Sequence, residues 1–310
     1  MRRLRPYNRA RLLAARQEGL SFPEPFFWTT DRLERLRQLD PGYRDYLHAR
    51  ALDALKAPPT RIRVVAEGDS WFNHPCLRDI MDWFQEFGYA AYRSDAPGRE
   101  LATMVQEQVY LKFLADPAVP AALLSGGGND LISWKRDSGR RPSPIFKPGN
   151  GSSNPADYLN DAELGEALAA LERLLGEFAR SVHQKRPGLP IITHCYDRIE
   201  PRSDGPVGAW VGPQMDQLGV PKKQRLRNGI AAILIDRANE TYGRASAAHG
   251  MTYVDLRGTV RNRWWDEIHP KDDAFREVAT RLAAKVPASR ASGHGRRARG
   301  RGRRPGRGAR

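Results

Sequence analysis

The sequence predicts an α/β fold, a three-layer sandwich with a five-stranded parallel sheet between helices. Two observations predict it. Short apolar, β-branched runs alternate five times with segments of helical periodicity, the pattern of βαβ units. The segments that follow the runs collect Gly, Asp, Ser, Asn and His, and in parallel sheets ligands sit beyond the carboxyl ends of the strands.

The elements follow in order. RIRVVAE (61–67) reads as the first strand, closed by Gly68. Residues 76–87 are an amphipathic helix stopped by Gly88, and YAAYRS (89–94) is the second strand. Residues 99–115 carry apolar side chains at helical spacing: Leu101, Met104, Val105, Val109, Leu111 and Leu114. AALLSG (121–126) is the third strand. A long helix spans 156–185, opened by Asn154 as cap and Pro155 in its first turn. LPIITHC (189–195), a helix over 222–248, MTYVDL (251–256) and a helix over 272–285 complete the alternation. Two connections, 132–155 and 196–221, lack periodicity and are rich in Gly and Pro. Each leaves the carboxyl end of a strand, so each is placed to wall a site, and 132–155 is a candidate lid.

Composition bounds the rest. The chain of 310 residues carries a net charge of +15, a balance typical of nucleic-acid-binding proteins. The charge is not spread evenly. Residues 296–310 hold eight arginines and no acid, residues 1–16 hold six and no acid, and the body between is nearly neutral. The domain organisation expected is a basic, helical N-terminal extension over 1–59, an α/β domain over 60–288 and a disordered Arg/Gly-rich tail over 289–310. The tail lacks aromatic residues on which bases stack, so weak, salt-sensitive contact with a polyanion is all that it implies. No stretch has the roughly 18 apolar residues of a membrane span. The N-terminus lacks the apolar region of a secretory signal, so a cytoplasmic location is expected, with Cys76 and Cys195 reduced.

The segments after the strands carry the chemistry. Gly68-Asp69-Ser70-Trp71 follows the first strand, Gly98 the second, Gly127-Gly128-Asn129-Asp130 the third, and Asp266-Glu267-Ile268-His269 the fifth. A serine hydroxyl becomes a nucleophile when a base takes its proton. Imidazole suits that role near neutral pH, and a carboxylate three residues away can orient the ring. A side-chain amide beside a flexible Gly-rich turn can donate to an oxyanion without adding charge. The rival signatures G-x-S-x-G, the Walker A loop and G-x-G-x-x-G are absent.

Taken together, the four segments resemble the blocks of the SGNH, or GDSL-type, hydrolase family over roughly residues 60–285. The resemblance implies the flavodoxin-like SGNH hydrolase fold and a serine esterase working through an acyl-enzyme without a cofactor. It implies Ser70 as nucleophile, with Asp266 and His269 completing the triad. The main-chain N–H groups of Ser70 and Gly98 and the amide of Asn129 would form the oxyanion hole. Trp71 stands where the family usually has leucine. Other candidates to line the site are Asp69, His74, Gly128, Asp130, His194, Tyr196 and Trp265. Asp130 is expected to brace the Asn129 loop, and His194 to be a buried strand-end histidine. A metal site of Asp69, His74 and His194 lacks any ligand spacing, so no metal is expected. The substrate expected is a small-molecule or glycan ester: short-chain, carbohydrate-linked or lysophospholipid. The alternative is a non-catalytic module of the same fold whose Arg-rich ends hold RNA or another polyanion. Phosphoryl or sulfuryl transfer is the weaker third reading, because no phosphate-cradling lysine follows the Gly-rich turn.

Overall fold

A computed structural model describes residues 57–287, except 59, 75–76, 137–140 and 205–208. Residues 1–56 of the expected N-terminal extension, the Arg-rich tail and Cys76 lie outside the described residues.

Five strands form one parallel sheet: β1 (Ile62–Gly68), β2 (Tyr89–Arg93), β3 (Ala122–Ser125), β4 (Ile191–His194) and β5 (Thr252–Val254), in the order β2-β1-β3-β4-β5. Val65 pairs with both Tyr92 and Ala122, and Leu123 with Ile192. Among the described residues, seven α-helices accompany the sheet: α1 (Ile80–Glu86), α2 (Leu101–Glu107), α3 (Gly128–Ile132), α4 (Asp161–Lys185), α5 (Gly212–Gln217), α6 (Gln224–His249) and α7 (Asp272–Ala283).

Strand order explains the layers. The chain steps one way from β1 to β2, then the other way through β3, β4 and β5. Right-handed crossovers put α1 on one face and the later connecting helices on the opposite face. The packing agrees: α1 lies on α7, while α2, α3 and α6 gather around α4. With both faces covered, the strands are buried on both sides, and β3 and β4 are fully buried throughout. α4 shows the matching helical pattern, burying Leu164, Ala167, Leu171, Leu174, Leu175, Phe178 and Val182 on one stripe.

The reversal of direction makes a crevice at the carboxyl ends of β1 and β3, the usual ligand position in doubly wound sheets. Gly-Asp-Ser leaves β1 at that point, and Gly-Gly-Asn-Asp leaves β3.

Several boundaries differ from the sequence reading. The segment read as one helix over 99–115 breaks at Gln108, whose φ of 50° ends α2, and continues as a 3₁₀ helix over Val109–Ala115. Asn154 and Pro155 do form a cap and first turn, but of a short 3₁₀ helix over Pro155–Tyr158, and α4 starts afresh at Asp161. α1 begins only at Ile80, because Asp79 caps it through a reciprocal pair with Asp82. α3 and α5 have no periodicity to betray them, at five and six residues.

The two long connections are held by side chains. Gln214 accepts from Ser143 N (2.8 Å) and donates to Trp210 O (2.8 Å), and Gly149 N donates to Leu218 O (2.6 Å). Arg227, buried on α6, ties Asp216 (2.6 Å), Val220 O (2.9 Å) and Pro221 O (3.2 Å) together. The two loops therefore brace each other beside the sheet edge.

Candidate active site

Ser70 sits in a tight turn directly after β1. Asp69 N extends the sheet ladder to Ser125 O (3.0 Å), and the turn closes through Phe72 N and Asn73 N to Asp69 O (3.1 and 3.0 Å). The Asp69 carboxylate fixes the turn from inside. It accepts from Trp71 N (3.0 Å), from Ser125 Oγ (2.9 Å) and from the Tyr196 hydroxyl. Complete burial pushes the Asp69 carboxyl above its ordinary value and the Tyr196 phenol well above its own. The Tyr196 hydroxyl also accepts from Gly128 N (3.2 Å), so one side chain from the loop after β4 joins the β1 turn to the start of α3.

The segment after β5 folds into a small loop, closed by Trp265 N to His269 O (2.8 Å) and Lys271 N to Arg263 O (2.8 Å). Inside it, Asp266 Oδ1 accepts from Ile268 N (2.9 Å) and His269 N (2.7 Å). Asp266 Oδ2 lies 2.8 Å from His269 Nδ1, and His269 Nε2 lies 2.8 Å from Ser70 Oγ. With a neutral ring and an ionised Asp266, both contacts are satisfied when His269 Nδ1–H donates to Asp266 and Nε2 accepts from the Ser70 hydroxyl. All three residues are buried. Trp71 locks the two loops in register, its indole Nε1–H donating to Ile268 O (3.0 Å). A leucine at position 71 could not make that bond.

Asn129 and Asp130 connect α3 to the loop after β2. Asn129 Nδ2 donates one of its two N–H groups to Arg99 O (3.0 Å). The Asp130 carboxylate accepts from Leu101 N (2.7 Å) and Ala102 N (3.0 Å), capping α2 from another element. Burial pushes the Asp130 carboxyl up to about 6. Gly98 precedes that helix with φ of 72°, a left-handed conformation that favours glycine. Gly127, at φ 96°, leads into α3 where an added Cβ would meet Leu171 at 2.5 Å and the Tyr242 hydroxyl at 2.7 Å.

A cavity opens against these groups. Asp69, Ser70, Trp71, Gly128, Asn129 and Tyr196 line one part of it; Leu131, Ile132, Ile199, Leu234, Ile235 and Ile268 form apolar walls. Gly98, His74, Asp130, His194 and Trp265 are not among its lining residues. His194 is buried, with Nδ1 against Cys195 O (2.9 Å) and its ring stacked on Trp71 (centroids 5.5 Å apart). Burial pulls its pKa down to about 4. His74 lies behind the triad. Its Nδ1 accepts from Leu77 N (3.2 Å), its ring meets His269 edge to face at 4.5 Å, and Trp265 packs on it at 5.3 Å. Burial holds the His74 pKa well below its usual value.

His74, Asp266 and His269 each bring a donor atom within 4.8 Å of the others, a set chemically suited to zinc. It is a different trio from the Asp69, His74 and His194 weighed from sequence. The contacts already described commit both ring nitrogens of His269, one to Asp266 and one to Ser70.

Sequence reasoning missed Glu267. This carboxylate is enclosed on all sides and accepts from Arg202 N (3.1 Å), Trp210 N (2.9 Å), Val211 N and Gly212 N (3.2 Å). Burial pushes it up to about 7 against the pull of these donors. The folded chain therefore holds a proton that the unfolded chain releases above about 4.5, and this group withdraws stability as pH rises from there to about 7. The slope is at most about 1.4 kcal/mol per pH unit. Urea unfolding between pH 5 and 7.5 should show wild type losing more stability with rising pH than Glu267→Gln. Parallel pH profiles would contradict the assignment. A charged residue between Asp266 and Ile268 gives no sequence signal of such a role. The cavity walls Leu234 and Ile235 look like any core positions of a helix.

No family model matches the chain, and no curated protein matches it in sequence. Solved structures do match its shape. The extracellular lipase from Streptomyces rimosus aligns at 13% identity and a TM-score of 0.46, over 72% of this chain and 98% of that one. Phospholipase A1 from Streptomyces albidoflavus NA297 aligns at 16% identity and 0.43, over 73% and 99%. Est24, a carbohydrate acetylesterase from Sinorhizobium meliloti, aligns at 13% identity and 0.43, over 72% and 99%.

Proposed function

We propose that the protein hydrolyses carboxylic esters through an acyl-enzyme, as a hydrolase of the SGNH type. The observation that carries this reading is the relay from Ser70 through His269 to Asp266, with both contacts at 2.8 Å. Ser70 Oγ attacks the ester carbonyl carbon while His269 Nε2 takes the hydroxyl proton. Asp266 accepts from Nδ1–H throughout, and its charge stabilises the imidazolium. The oxyanion of the tetrahedral intermediate is received by Ser70 N–H, Gly98 N–H and the second N–H of Asn129. The intermediate collapses, His269 returns the proton to the leaving alcohol, and the acyl group stays on Ser70. Water then enters through the same steps in reverse and frees the acid.

The cavity supports an apolar acyl group. Leu131, Ile132, Ile199, Leu234, Ile235 and Ile268 offer it no polar anchor beyond the reacting edge. Charged acyl groups would lose hydration there without replacement.

A fluorophosphonate probe should add to Ser70, located by mass spectrometry, and p-nitrophenyl esters of two to eight acyl carbons should be hydrolysed. Leu234→Trp, which fills the cavity, is expected to shift preference toward acetate, with kcat/KM for the longest ester falling at least about tenfold relative to acetate. An unchanged chain-length profile would move the acyl group out of this cavity. Because His269 is committed to Asp266 and Ser70, a chelator such as EDTA should leave the rate unchanged, and a loss restored by zinc would contradict the serine mechanism. No helix among the described residues is long and apolar enough to cross a membrane.

A further inference from the structure

The hydrolytic chemistry uses Asp266 and His269 but leaves the buried carboxylate between them without a task. Glu267 collects four main-chain N–H groups, from Arg202, Trp210, Val211 and Gly212, and all belong to the connection after β4. The main chain of Glu267 adds a fifth tie, accepting from Glu200 N (3.2 Å). These ties gather onto one side chain a stretch of backbone that has no sheet or long helix to hold it. What the gathering achieves is the seat of Trp210. Its indole lies edge to face against the His269 ring, centroids 5.3 Å apart at 81°, and is 2% exposed.

We propose that Glu267 is a positioning residue for the general base: by anchoring Arg202 and the Trp210–Gly212 turn, it presses the Trp210 indole against His269 and keeps that ring aligned between Ser70 and Asp266. The assignment rests on the hydrolase reading above. The described side-chain hydrogen bonds of His269 are made at its two nitrogens, and those bonds leave the ring free to tilt about the line joining them. The indole, with His74 packed at 4.5 Å, removes that freedom. Misplacement of a reacting group by about 1 Å can cost on the order of 10²-fold in rate, so a side chain that never touches substrate can still set kcat.

Glutamine at 267 separates this role from bulk packing. It keeps size and one acceptor oxygen, but turns an NH₂ group toward two of the N–H groups that Glu267 now accepts. Kinetics per active site, counted by fluorophosphonate titration, are expected to show kcat lowered by about 10- to 100-fold with KM within about threefold of wild type. The downfield proton resonance of His269 Nδ1–H should broaden. Trp210→Leu should reproduce the kcat loss, and Trp210→Phe, which keeps a ring against His269, should lose less than Trp210→Leu. These two variants decide the matter even if Glu267→Gln fails to fold. Folded Glu267→Gln with wild-type kcat per labelled site, or Trp210→Leu with wild-type kcat, overturns the proposal. A change confined to KM also overturns it, since that outcome makes the turn a substrate wall. If wild type takes no label at Ser70, the hydrolase reading fails and this one falls with it. If wild type labels and the variants label at the same rate, only the positioning role fails.

Discussion

Ser70→Ala is expected to lower kcat by about 10⁶, the size of loss seen when a serine nucleophile is removed from a working triad. The fold should survive the change. Ser70 is 5% exposed, and its hydroxyl makes one described side-chain bond, to His269 Nε2. Loss of a bond of that kind costs about 1 kcal/mol, and the turn itself is built from the Asp69 carboxylate and main-chain groups. The variant should therefore melt within a few degrees of wild type, still bind ester, and take no fluorophosphonate. Pairing it with His269→Ala should cost nothing further, because the two groups act as a unit. Hydrolysis of p-nitrophenyl acetate that persists in folded Ser70→Ala would remove Ser70 from the mechanism.

The parts of this site that sequence reveals and the parts it conceals divide by range. Residues directly after a strand are placed by the strand. Once the β-branched run at 61–67 is read, Asp69 and Ser70 must lie at the sheet edge, and the same logic places Asn129 and Asp130. The relay to His269 spans 199 positions and comes from the motif resemblance, since no local rule brings residues 70 and 269 together. The concealed parts are held by tertiary contacts alone. Tyr196 reads as a candidate to line the site, but nothing in the sequence shows that its hydroxyl joins the Ser70 turn to α3. Trp71 reads as a departure from a leucine, yet its N–H ties the loops carrying Ser70 and His269. The connections 132–155 and 196–221 read as irregular because Gln214, Arg227 and Glu267 order them through side-chain bonds, which leave no period in the sequence.

Asp266→Asn should cost about 10⁴ in kcat with little change in stability. The reason lies in how the carboxylate is tied. Oδ1 accepts from the main-chain N–H groups of Ile268 and His269 at 2.9 and 2.7 Å, and Oδ2 faces His269 Nδ1 at 2.8 Å. An asparagine has one acceptor and one donor to offer. Its oxygen must take the Oδ1 place, because an NH₂ there would confront two N–H groups. The NH₂ then occupies the Oδ2 place and points at Nδ1. His269 can answer only by accepting at Nδ1, which moves its proton to Nε2 and aims an N–H at Ser70 Oγ. The ring stays where it was in the tautomer that cannot take the serine proton. KM should change little, and proton NMR should show the imidazole N–H moved from Nδ1 to Nε2. Asp266→Ala lacks the donor and leaves the tautomer free, so it should retain more activity than Asp266→Asn if its loop stays folded. The reverse order would mean that Asp266 acts mainly by holding the 265–269 loop and not by fixing the proton on His269.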